Sequence, residues 1–188
     1  MLDTNMKQQL KTYLQNLNSH VELVVSLDDS ENSQKIYSLA NDIASLSELV
    51  RVKEAAENEQ STRTPSMEVR SVKKQTSISF AGLPMGHEFT SLVLALLHSG
   101  GHEIKQEQAI KDEIAQISVP LNFEIYISLS CQNCPEVVQA LNTLAAINPN
   151  VQTTMIDGAM FQEEVSQRNI MAVPSVYLNG ELFAQGRI

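Results

Sequence analysis

The chain is poor in cysteine, with two among 188 residues. A structural zinc site usually draws on four Cys or His ligands. The four histidines, His20, His87, His98 and His102, show no finger-like spacing that would complete such a set. Basic residues are also scarce: 13 Lys and Arg stand against 22 Asp and Glu, for a formal net charge of -9. That balance makes nucleic acid and anionic membrane surfaces poor partners. No long hydrophobic run is present. The longest, Leu92 to Leu97, is far too short to span a bilayer. The opening residues, Met1 to Leu10, lack the apolar core of a secretory signal. The cytoplasm is therefore the expected compartment, and there a Cys-x-x-Cys pair is more often catalytic than structural. The hydrophobic share, 43%, is ordinary for a soluble globular protein. The length suits one large domain or two small ones.

What is present centres on Ser130-Cys131-Gln132-Asn133-Cys134-Pro135. The apolar run Phe123 to Leu129 precedes it and the helix-like Glu136 to Leu144 follows. Strand, Cys-x-x-Cys, helix is the setting of a dithiol redox centre. Thiolate is the nucleophile in disulfide exchange, and a helix N-terminus favours thiolate through unpaired N–H groups and its positive dipole end. Cys131, at the edge of the turn, is the expected attacking sulfur. Cys134, one turn inside, is the expected resolving sulfur. Pro135 falls in the first turn, where a missing N–H costs little. Metal binding and two inert buried thiols are the alternatives left open by these residues.

Periodicity predicts an α/β chain. Helices are expected over 4–17 (stripe Met6, Leu10, Tyr13, Leu14, Leu17), 31–45 (Ile36, Leu39, Ala40, Ile43), 86–98, 103–117 (Ile104, Ile110, Ile114, Ile117) and 161–168. Strands are expected over 21–27, 49–52, 65–72, 77–80, 120–129, 151–156, 174–178 and 181–184, with Asn179-Gly180 as a type I′ turn. The 54–64 stretch reads as a polar loop. The 86–98 helix is apolar nearly all round, so it should be buried between two halves of the protein.

The halves repeat one another. Val21 to Leu27 parallels Phe123 to Leu129, Pro65-Ser66-Met67 parallels Pro174-Ser175-Val176, and Phe80-Ala81-Gly82 parallels Phe183 to Gly186. This is the thioredoxin order, twice. Asp29 and Asn32 fall where the second half has Cys131 and Cys134. A thioredoxin-like unit has a closing helix after the Gly186 position, and the chain ends at Ile188, so a piece of a longer protein is expected.

Several long runs are similar to the N-terminal domain of the bacterial alkyl hydroperoxide reductase flavoprotein subunit, a peroxiredoxin reductase. They are Met1 to Lys7, Leu27 to Ser30, Gly86 to Leu97, Ser128 to Cys131 with Asn133-Cys134-Pro135, and Val173-Pro174. The resemblance implies two fused thioredoxin-like folds in tandem: residues 1–101 redox-inactive and residues 102–188 redox-active. It implies electrons arriving from a flavoprotein body with FAD, an NADH site and its own dithiol. They leave to the disulfide of a peroxiredoxin subunit. The parent is expected to be a homodimer. No cofactor or metal site is expected in this chain. The alternatives are a general protein disulfide oxidoreductase and a non-catalytic docking adaptor.

Exchange needs a base for the resolving thiol. Thioredoxins carry a buried acid six residues before the first cysteine, a position held here by Ile125. Glu124 next door points to the other face of its strand. The resemblance assigns the role to Glu88, at the start of the most apolar helix, where burial would raise a carboxyl pKa. It also implies a cis peptide at Val173-Pro174, with Val173, Pro174, Gln132 and Asn133 meeting the partner. Pro65 is expected to start its strand in the ordinary way.

Overall fold

The computed structural model describes residues 2–186. In the first half, β1 (Val21–Ser26) pairs in parallel with β2 (Val50–Glu54) and antiparallel with β3 (Ser66–Ser71). β4 (Ser77–Ala81) pairs antiparallel with β3. The second half repeats this connectivity. β5 (Leu121–Ile127) pairs in parallel with β6 (Val151–Asp157) and antiparallel with β7 (Ser175–Leu178), and β8 (Glu181–Gln185) pairs antiparallel with β7. The strand orders are β2-β1-β3-β4 and β6-β5-β7-β8. A parallel pairing of β4 with β6 joins them into one eight-stranded sheet. The architecture is therefore the expected one, two thioredoxin-like α/β units fused in tandem. Asn179 and Gly180 both have positive φ (50° and 86°), as the β7–β8 turn requires.

Helices α1 (Thr4–Leu14), α2 (Glu31–Ala44), α3 (Phe89–Ser99), α4 (Gln108–Ala115), α5 (Cys134–Ile147) and α6 (Gln162–Gln167) complete the chain. One face of the sheet meets α2, α3 and α5. Its core holds Leu23, Met67, Phe80, Ile125, Met155 and Val176 from the strands, with Leu39, Leu92, Leu96 and Val138 from the helices. α3 packs against α5 and is buried, as its apolar sequence predicts. On the other face a smaller cluster joins Ala81, Tyr126, Ile156 and Tyr177 to Phe161, Val165 and Ile170 around α6.

Several expectations need correction. α1 stops at Leu14, and Tyr13 is half exposed while Leu10 and Leu14 are buried. α4 starts at Gln108 rather than 103. Ile104 is buried from an irregular segment, where His102 N–H reaches back to the Leu97 carbonyl and Gln106 N–H to that of Ile104. Ile110 lies on the exposed side of α4; Ile114 is the buried residue of that helix. The peptide before Pro65 is cis, like that before Pro174. Four residues separate β1 from α2, but six separate β5 from α5. The pairing of Asp29 and Asn32 with the cysteines thus breaks at the helix start, where Glu31 and Cys134 coincide.

Candidate dithiol site

The site grows from the β5–α5 connection. Burial of Ile125 and Ile127 fixes the end of β5. The chain then turns, with Cys131 N–H donating to the Ser128 carbonyl (3.0 Å). α5 begins at Cys134, with Pro135 in its first turn. Cys131 and Cys134 form a disulfide with Cα atoms 5.5 Å apart. Cys134 is fully buried in the main core, Cys131 is half-buried, and Gln132 and Asn133 are exposed. So one sulfur sits at the surface end of the pair and the other inside.

A single 3-10 turn, Gly86–Glu88, lies against this connection. His87 N–H donates to the Leu129 carbonyl at 3.2 Å, two residues before Cys131. Gly86 has φ +58°, and a Cβ there would come within 3.1 Å of the same carbonyl oxygen, so the close approach depends on glycine. The turn also packs on α5. It carries Glu88, whose side chain is fully buried. Ser91 Oγ donates to Glu88 Oε1 at 2.7 Å, and Oε2 has no hydrogen-bond partner. Burial raises the Glu88 pKa above 4.5, and the Ser91 hydrogen bond offsets part of that. A carboxyl in this setting takes up a proton more readily than an exposed one.

The cis Val173-Pro174 loop borders the same end of β5. Pro174 is buried and Val173 exposed. A shallow groove of about 270 Å³ runs from Ile127 and Ser128 past Val165 and Ile170 to Met171 and Val173. Met171 is 91% exposed at its rim.

Other polar residues lie apart from the dithiol. Glu124 is on the opposite sheet face and meets Arg63 and Arg168. His98 sits near the far end of α3, its pKa pushed down to about 4 by burial and by the neighbouring charges of His102 and Lys74. His87 is exposed. Among the described residues, no group of three or more His, Cys, Asp or Glu could hold a metal ion. No helix among them is long and apolar enough to cross a membrane. Sequence reasoning missed Ser91 and Gln139, which tie Glu88 to α5. It also missed Asp157, buried at the end of β6 with its pKa raised by burial. A polar residue on the inward side of an apolar helix was the available signal for Ser91.

A family profile described as "Thioredoxin domain" matches residues 121–188, which hold β5 to β8 and the cysteines. The whole chain is 52% identical to the alkyl hydroperoxide reductase protein AhpF of Pseudomonas putida and covers 36% of that protein. The NTD_N/C domain of alkylhydroperoxide reductase AhpF from Enterococcus faecalis superposes over the full chain and 95% of its own, with TM-score 0.88 and 29% identity. A C503A mutant of AhpF from the same organism gives TM-score 0.88 at 30% identity, with 100% of this chain and 94% of that one covered. The chain belongs to the AhpF family of alkyl hydroperoxide reductase proteins. It spans about a third (36%) of the length of the curated family members it matches. In those proteins it corresponds to the N-terminal part. Within the family the chain supplies a thioredoxin-like region with its own cysteine pair.

Proposed function

We infer that the chain is a thiol–disulfide electron-transfer domain working between a flavoprotein dithiol and the disulfide of a partner peroxiredoxin. The observation that carries this is a Cys131–Cys134 disulfide at the start of α5, with the turn that carries a buried carboxyl of raised pKa packed on that helix. In the reduced domain the Cys131 thiolate attacks one sulfur of the partner disulfide. A mixed disulfide forms and the partner's other sulfur leaves as thiolate. Cys134 gives its proton to the Glu88 carboxylate and attacks Cys131 Sγ. The Cys131–Cys134 disulfide closes, the second partner sulfur leaves, and protons from Glu88 and solvent complete two thiols. Two electrons have moved from this domain to the partner. The flavoprotein body of the parent chain, carrying FAD and NADH, restores the dithiol by the same exchange.

Residues 1–101 form the half without a dithiol and 102–188 the half that exchanges. Val173, Pro174, Gln132 and Asn133 form the partner-docking edge around the half-buried Cys131 in this reading; supporting it, Gln132 and Asn133 are exposed and the cis Val173-Pro174 loop lies at the same end of β5. The parent works in the cytoplasm as a homodimer, which sedimentation of the full-length protein checks. The test is to mix the reduced 188-residue chain with oxidised peroxiredoxin and follow thiol transfer. Cys131→Ser should abolish transfer, Cys134→Ser should trap a mixed disulfide, and Glu88→Gln should slow exchange without unfolding the chain. A docking adaptor would retain its effect in Cys131→Ser. A general disulfide oxidoreductase would reduce unrelated disulfides equally well.

A further inference from the structure

Glu88 is not an isolated buried acid. Its Oε1 accepts from Ser91 Oγ at 2.7 Å, and Ser91 Oγ in turn accepts from Gln139 Nε2 at 3.2 Å. Ser91 is buried on α3, while Gln139 is half-buried on α5. Gln139 also lines a groove of about 640 Å³, together with Leu94, His98, Glu136 and Thr143. The chain of contacts therefore runs from a closed carboxyl to an open cleft, across the packing of α3 on α5.

The direction of the donors decides the consequence. A serine hydroxyl has one hydrogen. Because Gln139 donates to Ser91 Oγ, the hydroxyl hydrogen is free to be spent on Glu88 Oε1. A carboxyl hydrogen placed on Oε1 would then face another hydrogen. We propose that Ser91 and Gln139 are positioning residues that hold the proton of Glu88 on Oε2, making Oε2 the oxygen that exchanges a proton with the dithiol. The second observation agrees: Oε2 is buried and lacks any partner. A buried polar atom without a partner is costly and calls for a cause, of which a part in redox or acid–base chemistry is one. The assignment rests on the reading of Glu88 as the proton acceptor for Cys134.

The titratable groups on the elements around Glu88 are few. His87 shares its turn, the two cysteines and Glu136 open α5, and His98 lies near the far end of α3. In this disulfide state, where the cysteines do not titrate, the displacement of the Glu88 pKa has two causes: burial raises it and Ser91 lowers it. Loss of the Ser91 bond must therefore move Glu88 further up. Loss of Gln139 frees the hydroxyl to accept from a protonated Oε1, which favours the neutral acid and moves Glu88 in the same direction by less.

The experiment uses the reduced 188-residue chain labelled with carbon-13 at glutamate carboxyls. The Glu88 signal is identified by its loss in Glu88→Gln. Its titration midpoint should rise by about one pH unit in Ser91→Ala and by about half that in Gln139→Leu, as expected for one hydrogen bond. The acid limb of iodoacetamide alkylation should follow both. An unmoved midpoint in either variant overturns the assignment. Gln139 is half-buried, so Gln139→Leu keeps the test open should Ser91→Ala not fold. If Glu88→Gln leaves the alkylation profile unchanged while the Ser91→Ala midpoint still rises, positioning of the carboxyl stands and its part in exchange falls.

Discussion

Glu124→Gln tests the charge network on the sheet face away from the cysteines. Glu124 is held by Arg63 Nη2 and by Arg168 Nη1 (3.0 Å). Arg63 also donates to both oxygens of Glu164, from Nε at 2.8 Å and Nη2 at 2.9 Å, and Tyr126 OH donates to Glu164 at 2.6 Å. The Arg168 guanidinium lies 4.4 Å from the Tyr177 ring centroid. Two cations and two anions balance, and the Glu124 and Arg63 side chains are 9% and 19% exposed. Removing one negative charge leaves the set with an excess cation and little water to compensate. Breaking a buried pair costs roughly 3–5 kcal/mol. The 27% and 30% exposure of Glu164 and Arg168 moves the expectation to about 2–3 kcal/mol. With a urea slope of about 2 kcal/mol/M, the midpoint should fall by roughly 1 M at unchanged slope. Lys7→Ala, at a looser 3.9 Å pair with Asp42 whose lysine side chain is 43% exposed, is the control and should cost less than about 0.5 kcal/mol. The Arg63→Ala, Glu124→Gln cycle should show coupling of about 1 kcal/mol or more. Dithiol exchange should not change, since the network lies on the other face. A Glu124→Gln midpoint equal to that of the parent would refute the reasoning.

At the edge of the central strands, Gly82 has φ +119°, and a Cβ there would lie 2.8 Å from Asp157 Cβ; Gly82→Ala should destabilise by about 2 kcal/mol or more in urea unfolding. Gly180→Ala, with nothing within 4 Å, should cost only its backbone strain, about 1 kcal/mol. Equal losses at the two sites would count against the contact. Asp157 has its pKa raised above 3.8 by burial, partly offset by N–H groups of Ala159 and Met160. A raised carboxyl contributes stability fully present below its unfolded value and lost as pH rises through the folded one. Asp157→Asn should therefore gain on the parent as pH rises from about 3.8. A urea-midpoint difference that is flat with pH would reject that sign.

The strand and helix pattern was readable because burial imposes it. Alternation in Met67 to Val72 and the all-apolar face of Leu92 to Leu97 leave few other placements. The dithiol was readable because its chemistry needs two residue types at one spacing. Arg63 was hidden for a physical reason. It sits in a polar loop whose composition gives no hint of burial, and its partners Glu124 and Glu164 are 61 and 101 residues away. The false start of α4 has a similar origin. Glu103 to Glu107 has acceptable helical composition, but burying Ile104 ties that segment to α3 instead. The cis state of Pro65 likewise has no local signature.

The fused sheet explains why no acid faces the core from the strand that leads to the cysteines. In the second half, Ile125 fills the core position under α5, and Glu124 belongs to the ion network on the far face. The first half then brings a carboxyl from outside: β4 pairs with β6, so the chain leaving β4 passes Gly82 against Asp157 and reaches the Leu129 carbonyl at Gly86. Glu88 follows two residues later. Placing it depends on the parallel β4–β6 pairing and on two glycines with positive φ, neither of which lies in the half that holds the cysteines. A half that has no thiol of its own thereby carries the buried Glu88 carboxyl, the proposed proton acceptor. Isolating residues 102–188 would remove Glu88, Ser91 and the α3 cover of Cys134 together, so that piece should lose its acid-side exchange profile even where its own strands still form.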